Sequence, residues 1–214
     1  MIDLGTPLAP DDTVTLQLQY DGHPGGRPFG TDASVLNARQ VLLNVDTFWF
    51  PNDVQSFFTT DVTITLPQHM TVVHNGTPDT TDIRGTQQVV RWSHGRPIPG
   101  FALIAGDYTV TTRQEGVVEH RVYLPPEVSL DPEQLLANMV VADTTLSGRY
   151  GPSSFDRITL FVNPLLQRAF NDGSGVLGAS RRYFRRGDYG LQLIAHEIAH
   201  NWWGATVTEQ WLSP

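Results

Sequence analysis

The sequence predicts an α+β fold: an antiparallel β sandwich or saddle followed by the first part of an α/β domain. Three observations carry this. Before Pro125-Pro126, apolar residues alternate in short runs broken by turn residues, the pattern of half-buried strands. After it, the apolar spacing changes to three and four, the pattern of helices. One of those later helices carries two histidines a single turn apart, His196 and His200. The proline pair divides the chain into 1–125, a β domain, and 126–214, a second domain.

Residues 13–20 alternate through Val14, Leu16, Leu18 and Tyr20 and read as the first strand. The Gly/Pro-rich run 22–30 is a loop. Residues 61–66 alternate through Val62, Ile64 and Leu66, and Asn75-Gly76 is a turn dipeptide. Residues 87–92, 107–112 and 117–124 continue the strand pattern. His23, His69, His74, His94 and His120 lack metal-ligand spacing and read as surface or hydrogen-bonded residues. Beyond the prolines, 131–150 reads as a helix opened by Ser129 or Asp131. Its buried stripe is Leu135, Leu136, Met139, Val140 and Leu146. Residues 158–162 form a short apolar strand, and 175–184 a second one at a sheet edge. Residues 189–199 form the last helix, started around Asp188 and Gly190, with Leu191, Ile194, Ala195 and Ile198 as its apolar stripe.

His196-Glu197-Ile198-Ala199-His200 lies on that helix. Histidines at i and i+4 share a helix face, so two neutral imidazoles can bind one Zn2+ at roughly 2.0–2.1 Å each. Metal coordination lowers the pKa of a bound water from about 15.7 to roughly 7. Glu197, between the two ligands, is placed to act as general base toward that water. The metzincin pattern needs Gly and His three and six residues after the second His. Trp203 and Thr206 stand there instead, so that class is excluded. Glu209 is the single Glu downstream. Trp202 and Trp203 read as packing residues at the helix end.

Composition narrows the partners. A net charge of −8 argues against nucleic acid, whose phosphates need a basic face. Arg181, Arg182, Arg185 and Arg186, around Tyr183 and Phe184, read as a solvated loop or strand end. All basic residues are Arg, a compositional bias. With no Cys there is no disulfide and no thiolate metal site. No apolar run reaches the roughly 18–20 residues that span a bilayer.

His196-Glu197-x-x-His200-x-Trp202-Trp203-Gly204, then Val207-Thr208, resembles the zinc aminopeptidases of the M1 (gluzincin) family. Upstream segments resemble the same family in the same order. They are Phe48-Trp49-Phe50-Pro51 with Asp53, Leu66-Pro67 with the run from Val72 to Gly76, and Gly106-Asp107-Tyr108. Arg149-Tyr150-Gly151-Pro152 with Phe155-Asp156-Arg157 completes the set. The resemblance implies a thermolysin-like α/β catalytic domain, one Zn2+ held by His196 and His200, Glu197 as general base, and a peptide substrate cleaved at its amino end. It also implies a third zinc ligand, a Glu, and a catalytic Tyr, both expected beyond Pro214. The chain then reads as a piece of a larger protein with little turnover of its own. Two positions depart from the family. The Gly-x-Met-Glu-Asn motif that binds the substrate's amino terminus is replaced by Phe170-Asn171-Asp172-Gly173-Ser174, and Ala205 stands where Asn is usual. Asp172 falls near the motif's Glu, where its carboxylate can pair with an ammonium or simply build an Asn-Asp-Gly turn. The missing motif leaves two rival readings. One is a non-catalytic interaction module; the other is an endopeptidase or other zinc hydrolase on the same fold.

Overall fold

The structure is a computed structural model that describes residues 7, 9–22, 34–44, 47, 49–51, 56–77, 79–184 and 189–207. His23, Phe48, Asp53, Arg185, Arg186, Asp188, Thr208 and Glu209, and most of the 22–30 run, lie outside the described residues.

Strands and helices follow in the order β1 (Val35–Leu36), β2 (Gln40–Leu43), β3 (Phe58–Pro67), β4 (Thr71–Val73), β5 (Thr80–Arg84), β6 (Gln87–Ile98) and β7 (Leu103–Gly106). Then come β8 (Thr109–Glu115), β9 (Val118–Leu124), α1 (Pro132–Tyr150), β10 (Arg157–Val162), β11 (Phe170–Asn171), β12 (Val176–Ala179) and α2 (Leu191–Ala199). They form a four-stranded sheet β1-β2-β7-β4, a three-stranded sheet β3-β6-β5, and a five-stranded sheet β11-β12-β10-β9-β8. The first two are antiparallel throughout. The third is mixed, since β10 runs parallel to both β9 and β12 while β8 and β11 run antiparallel at its rims.

Alternation decides the stacking. In β10, Ile158, Leu160 and Val162 pack with Leu135, Leu136 and Met139 of α1 and Ile194 and Ile198 of α2. Phe161 faces the other way and packs with Leu42, Val73, Ile104 and Tyr108. A strand covered on both faces is apolar at consecutive positions, as this one is. Likewise Val72 and Ala105, beside Val73 and Ile104, turn to the three-stranded sheet and meet Val90, Trp92 and Ile98. The layers therefore run helices, mixed sheet, four-stranded sheet, three-stranded sheet. The mixed sheet crosses the proline pair, because β8 and β9 precede it and β10 follows it.

α1 starts where the sequence predicts. Asp131 caps it, its carboxylate accepting from the backbone N–H of Glu133 and Gln134, and Pro132 occupies the first turn, where no N–H is needed. Its buried face holds Leu135, Leu136, Met139, Ala142 and also Asn138 and Asp143; Val140 and Leu146 are only half-buried.

Two expectations need correction. Residues 13–20 join no sheet among the described residues, and Val14, Leu16, Leu18 and Tyr20 are 43–60% exposed. Their alternation is that of a strand, but no described strand pairs with them, and the ladder that makes a strand is supplied by a partner. Residues 175–184 are not one edge strand. β12 ends at Ala179, a short 3-10 turn covers Arg181–Phe184, and β11 pairs outside β12, with Phe170 opposite Gly178. Gly178 makes room for this, since a Cβ there would lie 2.5 Å from the Phe170 ring.

Candidate active site

α2 is aimed by its first turn. Tyr189 and Gly190 are both left-handed, at φ of 50° and 74°. A Cβ on Gly190 would lie 2.5 Å from the Phe184 ring, so glycine is needed there for conformation and for space. The Asn138 side chain of α1 donates to the Tyr189 carbonyl, and the Tyr189 hydroxyl bonds the Asp131 N–H. The start of α2 is thus fixed to the start of α1. Ile194 and Ile198 point into the core, which turns His196 and His200 outward and leaves Glu197 buried at 6% exposure between them.

The two imidazoles lie with ring centroids 5.0 Å apart and planes perpendicular. His200 Nδ1 is 3.0 Å from the Trp203 carbonyl oxygen. A carbonyl only accepts, so Nδ1 carries the proton and Nε2 keeps its lone pair, the tautomer of a metal-binding histidine. Burial pushes the Glu197 carboxyl above its ordinary range, while the charges of His200 and His196 pull the other way. All three side chains open onto a cleft of about 470 Å³. Its other walls are Pro99 and Gly100 from the loop after β6, and Ala169 through Gly173 on and around β11.

Among the described residues, no group of three or more His, Cys, Asp and Glu side chains converges as a metal site. The donor chemistry of His196 and His200 fits a zinc ion as two of its ligands. The fit rests on the outward rings and the tautomer held by Trp203.

Asp172 lines the same cleft, but only 5% of it is exposed. Its Oδ1 accepts from the Ser174 N–H at 2.8 Å, the Ser174 hydroxyl at 2.7 Å and the Val176 N–H at 3.2 Å. Its Oδ2 accepts from the Ala102 N–H at 3.0 Å. These four bonds match the acceptor capacity of a carboxylate. Burial pushes its pKa up, and the bonds from Ala102, Ser174 and Val176 oppose that. The bond from Asp172 to Ser174 two residues on is the side-chain turn that an Asn-Asp-Gly run favours.

Trp202 is buried, and its indole N–H donates to the Gly151 carbonyl. Trp203 is 45% exposed and stands edge-on to Tyr150. Of the remaining histidines, His74 stacks on Trp92 and approaches Asp79 at 3.4 Å. His120 is wholly buried against Asp143, His94 bonds the Thr60 hydroxyl, and His69 bonds the Ala38 carbonyl. Asn171, Asn201 and the Pro99–Gly100 wall had no sequence signal as site residues. Pro99 and Gly100 lie far from the helix in the chain and reach the cleft only through the stacking of the sheets.

No protein-family model matches the sequence, and no curated protein does. Solved structures do. The chain is similar to an M1 zinc metallopeptidase from Deinococcus radiodurans, with a TM-score of 0.59 at 18% identity, covering 81% of this chain and 42% of that one. An M1 zinc metallopeptidase mutant from the same organism, bound to a Tyr-Ser-Ala substrate, matches at TM-score 0.54 and 23% identity over 69% of this chain and 34% of that one. A two-domain M1 zinc metallopeptidase mutant bound to L-arginine matches at 0.58 and 17%, over 81% and 43%. The chain thus has the fold of part of an M1 zinc metallopeptidase and spans about a third to two-fifths of the length of these structures.

Proposed function

We propose that this chain carries the zinc-binding half of a metallopeptidase site, within a thermolysin-like catalytic domain. The observation that carries the reading is the pairing of two outward imidazoles with a buried carboxylate between them, on one cleft beside a sheet rim. His196 and His200 would hold the zinc ion. One zinc ion there supplies Lewis-acid polarisation of a carbonyl and a water of lowered pKa. Glu197 takes a proton on its carboxylate and gives it to the leaving amine. Its burial supports this role, because a carboxylate whose pKa is raised is the stronger base toward a water proton. The rim strand β11 supports an extended peptide lying beside it by strand addition.

Aminopeptidase activity on free-amine peptides is the reading the motif favours. One observation favours an endopeptidase instead. An ammonium pairing with Asp172 would have to displace the hydrogen bonds that hold its own loop. Zinc-dependent cleavage of a free-amine peptide, set against its acetylated counterpart, separates the two. Glu197→Gln should lower turnover by about a hundredfold or more, the usual contribution of a general base, while leaving zinc bound. Turnover that Glu197→Gln leaves unchanged, or that needs no zinc, would sink the metallopeptidase reading; no turnover together with a partner that stays bound to Glu197→Gln would favour a non-catalytic interaction module.

A further inference from the structure

We infer that Asn171 is a positioning residue that clamps the end of α2 to the rim strand and so sets the geometry of His200 and Glu197. The inference rests on the metallopeptidase reading for its purpose, but its geometry stands alone. The Asn171 Oδ1 accepts from the Gly173 N–H at 2.8 Å, which fixes which way the amide faces. Its Nδ2 then donates twice, to the Glu197 carbonyl at 2.9 Å and to Asn201 Oδ1 at 2.9 Å. Both donor positions of this side chain are used across the gap between strand and helix.

The helix needs this clamp where it receives it. The last turn of α2 tightens, with Asn201 N–H bonding Ile198 and Trp202 N–H bonding Ala199. The Glu197 carbonyl therefore loses its usual partner four residues on and keeps only a long 3.3 Å contact from the His200 N–H. Asn171 supplies the missing donor. The second donation holds Asn201, which is 1% exposed and directly follows His200. The turn beyond returns to His200, whose carbonyl accepts from the Ala205 N–H and whose Nδ1 meets the Trp203 carbonyl. Loosening Asn201 therefore loosens the contact that fixes the His200 tautomer. The Asn171 side chain acts through Glu197 and Asn201.

The sharp variant is Asn171→Asp. It is isosteric and keeps the acceptor for Gly173, so the loop is retained, while both donors to α2 are lost. Asn75→Ala is the control. The Asn75 side chain tethers the same loop from the opposite side, donating to the Ser174 carbonyl and accepting from Thr159, without touching α2. Two readouts are taken on the 214-residue chain. The first is the 15N spectrum of the His200 ring without metal. The second is zinc affinity by chelator competition. We expect Asn171→Asp to shift His200 from the Nδ1–H form to a tautomer mixture and to weaken zinc roughly tenfold, the low end for an outer partner of a metal ligand. Asn75→Ala should lower thermal stability and leave both readouts unchanged. A wild-type His200 tautomer retained in Asn171→Asp overturns the inference, as does an equal effect of the control. If the wild-type chain binds zinc too weakly to measure, as an incomplete ligand set would, the ring spectrum alone decides the clamp, independently of the metallopeptidase reading.

Discussion

Glu197 is buried while the histidines on either side of it are exposed, and this contrast follows from helix geometry. Position 197 lies one residue before Ile198 and three after Ile194, so it shares the edge of their buried face. This much was legible in the sequence, because a five-residue motif on one helix brings its own geometry. The backbone that aims the helix was less so. Gly190 carries that aim, and Gly190→Ala should cost about 2–4 kcal/mol, from a left-handed residue and a forced contact with Phe184. A urea midpoint measures it. His94 makes a pH prediction at the same scale. Burial pulls it down to about 4 from an ordinary 6.5. The folded protein keeps it neutral where the unfolded chain protonates it, so its contribution is whole above pH 6.5 and is lost as pH falls from 6.5 to about 4. The loss reaches roughly 3 kcal/mol at the acid end. His94→Gln should flatten that limb of the stability profile; an unchanged slope would show that His94 is not its source.

At the level of elements, periodicity was read correctly where packing agreed with it. α1 runs over Pro132–Tyr150 because cap, proline and apolar stripe all point to one start. Asp131→Ala should cost about 1 kcal/mol, measured as a fall in thermal midpoint. Strands were harder to read, because half of what makes a strand is its neighbour. Residues 13–20 and 61–66 carry the same alternation, but only the second pairs, as part of β3 against β6. β11 shows the converse. Two residues, Phe170 and Asn171, are too few to show a period, and they become a strand only because β12 lies alongside. The element that forms one wall of the cleft was therefore the one least visible in the chain.

Across the whole molecule, polar links cross the layers that apolar contacts build. The Arg157 Nε donates to Glu119 at 2.9 Å, and its Nη1 donates to the Gly76 carbonyl at 2.9 Å. Arg121 joins Glu119 at 2.9 Å and Asp79 at 3.6 Å. The turn after β4 is thereby tied to the mixed sheet. Gly76 must be small there, because a Cβ would lie 2.2 Å from the Trp92 ring. Arg157→Ala leaves Glu119 short of a partner in a half-buried site and should cost about 2–3 kcal/mol. Hydrogen exchange should report that loss at the β9–β10 pairing and at Gly76 together. Loss confined to β10 alone would show that the two sheets are not coupled through this side chain. None of these long-range pairs can be read from one chain, because they depend on which layers meet.

The brevity of β11 bears on solubility as well as on chemistry. The rim of a sheet offers unpaired amides and carbonyls to any extended chain, and long flat rims are where proteins stick to their own copies. This rim is two residues long and ends in a loop whose side chains are committed to internal bonds. A neighbouring molecule can gain almost no ladder there. The cleft can therefore stay open to small guests without inviting the protein to polymerise through its own edge.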